Sequence, residues 1–261
     1  MTTVQNIYDY LDKIAPFASQ PKDDNSGLLV GDFASRVNKV LVCLDVTAEV
    51  VWEAAEKQVD LIIAHHPLMY RPVSRIMSDE PLYLLIQNGI HLIAAHENLD
   101  RANDGISDIM LELMGFAKSQ VSPTTLEPEY PHGAGLGRVV ELDKAITAKE
   151  LARKAKTAFG CTVVRYVDGG KPISKIAVCS GGGGFLAQTA LDMGCDAYIC
   201  GDIKWFNFVA ASNCGFTLID AGHFHTENIY CDALVGKLQS RFPEVSVEKA
   251  ENSVDLCDYV V

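Results

Sequence analysis

Two adjacent histidines close the run Asp60-Leu-Ile-Ile-Ala-His65-His66-Pro67, and imidazoles at the end of an apolar segment suit a divalent cation. Side chains alternate along a strand, so neighbouring histidines can serve one site only where the chain leaves strand geometry. Pro67 encourages that by disfavouring helical backbone at His66. A second group, His96-Glu97-Asn98-Leu99-Asp100, follows the apolar run Ile90 to Ala95. A third, Asp220-Ala-Gly-His223-Phe-His225-Thr-Glu227, follows Phe216 to Ile219 and sets His223 and Glu227 at i, i+4 on one helix face. Each group alone has a plainer reading, as polar residues at an exposed strand end or as an ordinary helical contact. Together they bring imidazole and carboxylate, without thiolate, to three strand ends, a donor set for Zn, Fe, Mn, Co or Ni. Five or more such ligands exceed the needs of one tetrahedral ion. The surplus predicts two divalent transition-metal ions per chain, with a carboxylate bridging ions roughly 3.5 to 4 Å apart. His96 lies beside Asp100, and an imidazole is the side chain suited to proton transfer near neutral pH, which makes it the candidate catalytic proton carrier.

The elements that must position these residues are short apolar runs. Strands are predicted at Lys39 to Val46, Asp60 to Ala64, Ile90 to Ala95, Gly137 to Leu142, Cys161 to Val167, Ile176 to Ser180, Asp196 to Cys200, Phe216 to Ile219 and Val245 to Lys249. Helix-period patterns lie between many of them; Thr47 can cap one, and Thr147 with Glu150 has capping-box spacing. Strand, helix and strand alternate, which argues for α/β layers. Lys39, Val42, Cys43, Ala54, Asp60 and Ile63 recur as Lys175, Val178, Cys179, Ala190, Asp196 and Ile199, an offset of 136, and Gly89 to Ala95 resembles Gly215 to Ala221 at an offset of 126. Any two βαβ units share some of this rhythm. A true duplication gives two related α/β lobes, 1–122 and 123–261, joined near Val121 to Pro131, with the C-terminal helix and strand free to return to the first lobe. Every candidate residue then sits past the C-terminal end of a strand, where open α/β sheets bind ligands.

The 261 residues carry a formal net charge of −12, which disfavours nucleic acid and anionic membrane surfaces as partners. Eight cysteines contain no C-x-x-C and read as reduced, packed thiols. The opening residues lack the basic and apolar regions of a secretory signal, and no run approaches the roughly 18 apolar residues of a membrane span, so a cytoplasmic location is expected. The run Gly181 to Gly184 is either a permissive βα turn or a phosphate cradle, and Asp24, Asn25, Asp202 and Lys204 are candidate pocket-wall residues or turn caps.

Five blocks in order resemble the GTP cyclohydrolase I type 2 homologues, also described as dinuclear-metal-centre and NGG-interacting-factor-three-like proteins. They are Asp24-Asn25-Ser-Gly27-Leu-Leu-Val-Gly31, Ala64-His65-His66-Pro67-Leu-Met-Tyr70-Arg-Pro72, Ala94-Ala-His96-Glu-Asn98-Leu99-Asp100, Gly201-Asp202-Ile-Lys204, and Asp220-Ala-Gly222-His223 with Glu227. The resemblance spans nearly the whole chain. It implies two intertwined α/β lobes with central sheets flanked by helices, a metal cleft between them, and toroidal homohexamers. It implies that His65 and His66 bind different metals, that Asp100 joins His66, that His223 joins His65, and that Glu227 bridges. It further implies a metal-dependent hydrolase acting on a small molecule, a nucleotide such as GTP, by opening the imidazole ring with release of formate. The alternative is a non-catalytic metal-binding interaction or metal-delivery protein. Glu97 stands where the family commonly has a small hydroxyl residue and adds a carboxylate beside the site; His225, two residues from His223, is expected to face solvent.

Overall fold

The computed structural model describes residues 1–116, 121–122, 124–127 and 135–260. The chain forms two compact α/β units, one of Met1–Ala102 with Tyr230–Val254, the other of Asn103–Ile229 with Asp255–Val261.

In the first unit β2 (Lys39–Cys43), β3 (Leu61–Ala64) and β4 (His91–Ala94) run parallel; β11 (Ser246–Lys249) joins β2 in parallel, and β1 (Gly27–Val30) closes the other edge antiparallel to β4. All four residues of β3 are buried, as expected of a central parallel strand covered on both faces. Each buried Leu or Ile there contributes about 1.5 to 3 kcal/mol. The crossover helix α2 (Ala48–Glu56) begins at Thr47, whose hydroxyl accepts the Val50 N–H, and α3 (Pro81–Asn88) ends at Gly89 in the left-handed region. α1 (Val4–Ile14), the short α4 (Glu97–Arg101) and α10 (Ile229–Arg241) complete this set.

In the second unit β8 (Ile173–Val178), β9 (Ala197–Cys200) and β10 (Thr217–Asp220) are parallel, flanked by β6 (Arg138–Ile146) with β5 (Val121–Ser122) on one side and by β7 (Arg165–Val167) on the other. Its helices are α5 (Ile106–Leu113), α6 (Ala148–Phe159), α7 (Ala187–Asp192), α8 (Trp205–Cys214) and α9 (His223–Glu227). Thr147 and Glu150 form the expected capping box at the start of α6.

The two sheets repeat one another in register. Val40 opposes Leu61 and Ile176 opposes Ala197, the same pairing displaced by 136 residues. Asp60 Oδ2 accepts the N–H groups of Asn38 and Lys39 at 2.7 and 3.0 Å; Asp196 Oδ2 accepts those of Ser174 and Lys175 at 2.8 and 3.0 Å. The repeated aspartate therefore ties the start of one strand to the start of the next in both units.

The chain first changes unit at Ala102/Asn103, ahead of the expected 122/123 boundary. The reason is α5, whose Met110 and Leu111 pack with Leu151, Ala155, Val178 and Ile199 in the second unit's core. Residues from Tyr230, carrying most of α10 and all of β11, return to the first unit, where β11 pairs with β2. Residues 123 and 128–134 of the expected connection lie outside the described residues.

Candidate metal centre

In the first unit the ladder continues one step past β3: His65 N–H donates to Cys43 O at 3.2 Å and His66 N–H to Leu44 O at 3.0 Å. The two rings nonetheless lie side by side, their centroids 5.1 Å apart and their planes tilted by 46°, His65 fully buried and His66 with 21% of its side chain exposed. His65 Nδ1 lies 2.9 Å from Ala95 O. A carbonyl only accepts, so Nδ1 carries the proton and Nε2 keeps its lone pair. His66 makes the same arrangement with Asp45 Oδ1 at 2.7 Å, and His96 with Asp24 Oδ1 at 2.8 Å. Such acceptors fix the tautomer and orientation of metal-binding histidines. One ring nitrogen from each of His65, His66 and His96 lies within 4.8 Å of the others.

Asp100, on α4, places Oδ2 3.6 Å from His65 Nε2. α4 begins directly after His96, and its Asp100 is buried beside the equally buried His65 ring. Asp24 is held by a short chain of hydrogen bonds, Ser26 Oγ donating to its Oδ2 at 2.8 Å and His96 N–H donating to Ser26 Oγ at 3.1 Å. Burial pushes the Asp24 carboxyl up, but His96, Ser26 and the Asn25 N–H outweigh that and leave it below the ordinary range. Tyr70 brings its hydroxyl to 3.5 Å from His96 Nε2, and Asn25 Nδ2 ties the same loop down through Met69 O at 2.5 Å.

In the second unit His223 and Glu227 span the single turn of α9, with His223 Nε2 2.9 Å from Glu227 Oε2 and Nδ1 2.7 Å from Asp202 Oδ2. Burial pulls the His223 pKa down, but Glu227 and then Asp202 reverse this and raise it to about 9. The metal-free imidazole thus carries a proton between two carboxylates. The glycines explain how the chain fits. A Cβ at Gly181 would lie 1.9 Å from Glu227 Oε1, and one at Gly201 would lie 2.6 Å from His223 N. Gly181 is therefore the backbone wall of the carboxylate, its N–H donating to Thr226 Oγ1 at 3.0 Å.

Other sequence candidates have different duties. Asp220 ties its own turn together, accepting from Arg165, from Ile203 N–H at 3.2 Å and from Gly222 N–H at 3.0 Å. Glu97 pairs with Arg101, so its extra carboxylate is neutralised within α4. His225 does not face solvent: only 10% of its side chain is exposed, because the C-terminal segment brings Asp255 Oδ2 to 3.2 Å from its Nε2. Six cysteines are buried, and burial pushes Cys161 and Cys195 up to about 11, which keeps them neutral and poor ligands. Asp45 was not legible as a site residue, since the predicted strand ran through Val46; β2 ends at Cys43, which frees Asp45 to turn toward His66.

The donor set fits divalent transition metals. Four histidines, His65, His66, His96 and His223, each have Nδ1 on an acceptor oxygen, and Asp100 and Glu227 add carboxylate beside Nε2 atoms.

A family profile for Duf34/NIF3 (NGG1p interacting factor 3) matches residues 2–255. The chain is 32% identical over 261 residues to a Clostridium acetobutylicum protein named GTP cyclohydrolase 1 type 2 homolog, covering 97% of both chains. It is 36% identical over 232 residues to a Clostridium perfringens protein of the same name, covering 86% of both. The crystal structure of a Staphylococcus aureus hypothetical protein superposes with a TM-score of 0.89 at 28% identity, covering 99% of each chain. No helix among the described residues is long and apolar enough to cross a membrane. With the profile covering almost its entire length, the chain belongs to the Duf34/NIF3 family.

Proposed function

We propose that this protein is a dinuclear-metal hydrolase in which His65, His66 and Asp100 of the first unit and His223 and Glu227 of the second are the ligands, with Glu227 bridging. The observation that carries the reading is the set of anchored histidines: each spends Nδ1 on Ala95 O, Asp45 or Asp202, which leaves Nε2 as the donor. Neither unit alone offers enough ligands for two ions. Asp100 and Glu227 also stand within three residues of the points where the chain passes from one unit to the other. Divalent ions held there would supply Lewis acidity and lower the pKa of a bound water.

His96 is kept for proton transfer. Asp24 holds its Nδ1–H, so Nε2, next to the Tyr70 hydroxyl, is the atom that takes a proton and returns it. The relatives' name, GTP cyclohydrolase 1 type 2 homolog, points to GTP as substrate, and the reaction proposed is opening of its imidazole ring with release of formate. Formate release from GTP, measured on metal-loaded protein with a wider panel of nucleotides, phosphoesters and cyclic amides, tests this. His96→Gln should keep its metal and lose about 10²- to 10⁴-fold in rate. A metal-replete protein inert to the entire panel would overturn the hydrolase and leave a non-catalytic metal-binding role.

A further inference from the structure

The second unit contains a cavity of about 430 Å³ that the metal ligands do not occupy. That volume lies in the range of small-molecule sites. Of the three phenylalanines in its wall, Phe216 is buried, whereas Phe185 and Phe206 are 68% and 66% exposed, an unusual cost for large apolar rings flanking one opening. Lys204 lines the same space; its carbonyl accepts the Asn207 N–H at 3.0 Å, while its ammonium makes no hydrogen bond or ion pair among the described residues. Asn207 also lines it, with Nδ2 spent on Gly184 O at 2.9 Å, which leaves Oδ1 as an acceptor. Asp202 belongs to both places: it lines the cavity and holds His223.

The glycine run sharpens this. Gly181 is required by its left-handed backbone and by Glu227, and Gly183 by Tyr198, whose hydroxyl would lie 2.6 Å from an added Cβ. Gly182 and Gly184 have no such need. Neither has a positive φ, and an added Cβ would meet nothing nearer than 3.9 Å at Gly182 and 3.5 Å at Gly184. The fold would accept a side chain at both positions, and both line the cavity. Their bareness keeps that space open.

We propose that this cavity binds a planar heteroaromatic ring bearing an anionic group, with the ring against Phe185 and Phe206, a ring N–H on Asn207 Oδ1 and the anion on Lys204. Calling that molecule the substrate rests on the hydrolase reading; the pocket itself does not. Aromatic faces accept any planar base, and the Lys204 ammonium supplies the positive charge that the rest of the cavity wall lacks.

Calorimetric titration of the full chain with GMP, guanosine and ribose 5-phosphate, together with metal analysis of each variant, tests the proposal. GMP should bind more tightly than guanosine, and both more tightly than ribose 5-phosphate. Phe206→Ala should weaken GMP and guanosine alike by about fivefold or more. Lys204→Gln should weaken GMP by about threefold and leave guanosine unchanged. Gly184→Val, a change the backbone tolerates, should abolish binding of both, and metal content should match the wild type throughout. Failure of all three probes to bind would overturn the pocket, as would variants that bind GMP like the wild type. Binding that responds to these variants in a protein found to hold no metal would support the pocket while removing the hydrolase reading.

Discussion

A histidine that binds a cation must present one lone pair and hold its ring still, and Ala95 O, Asp45 and Asp202 meet both needs for His65, His66 and His223. His223 adds a proton that a cation has to displace, because its pKa is raised to about 9 from an ordinary 6.5. Between those values the folded metal-free protein holds a proton that the unfolded chain does not. The resulting stabilisation is complete below pH 6.5 and is lost as pH rises through about 9. The melting temperature of metal-free protein should therefore fall from pH 6.5 to 9, and His223→Gln should flatten that slope. Metal affinity should run the other way, weakening as pH drops below about 9. Gly181 gives a separate test. Gly181→Ala would press a methyl group against Glu227 and strain a left-handed backbone, at a cost of about 1 to 3 kcal/mol. Thermal melting should show that loss together with reduced metal retention; an unchanged metal content would mean Glu227 is not a ligand.

The strands carry these residues twice over. Asp60 and Asp196 occupy the same position in the two sheets and make the same two backbone hydrogen bonds. Asp60→Ala and Asp196→Ala should each destabilise by about 1 to 3 kcal/mol in denaturant melts, with similar losses, since each removes two charge-assisted bonds at a partly exposed strand start. A large inequality would show that the repeated sequence does not carry repeated energetics. This part of the fold was legible because identical residues at a constant offset mark positions where one side chain does one job. The ends of β3, β4 and β10 were legible too, each as an apolar run giving way to histidine or glycine. β1 was not, since Gly27-Leu-Leu-Val30 is short and lacks alternation. The histidine anchors were hidden for another reason: Asp24 and Asp45 lie 72 and 21 residues from the rings they hold, a relation that only the folded sheet creates.

The net charge of −12 has acquired an address. Of 34 acidic residues, Asp100 and Glu227 are proposed ligands, and Asp24, Asp45 and Asp202 hold imidazoles in place. On the proposed reading, that part of the acidity is a place for cations. The chain is predicted to hold about two transition-metal equivalents when isolated without added metal. Elemental analysis of the wild type beside the double variant His65→Ala with Glu227→Gln tests this most directly. The account predicts about two equivalents in the first and their loss in the second. A wild type without metal, or a double variant that retains the wild-type content, would contradict it.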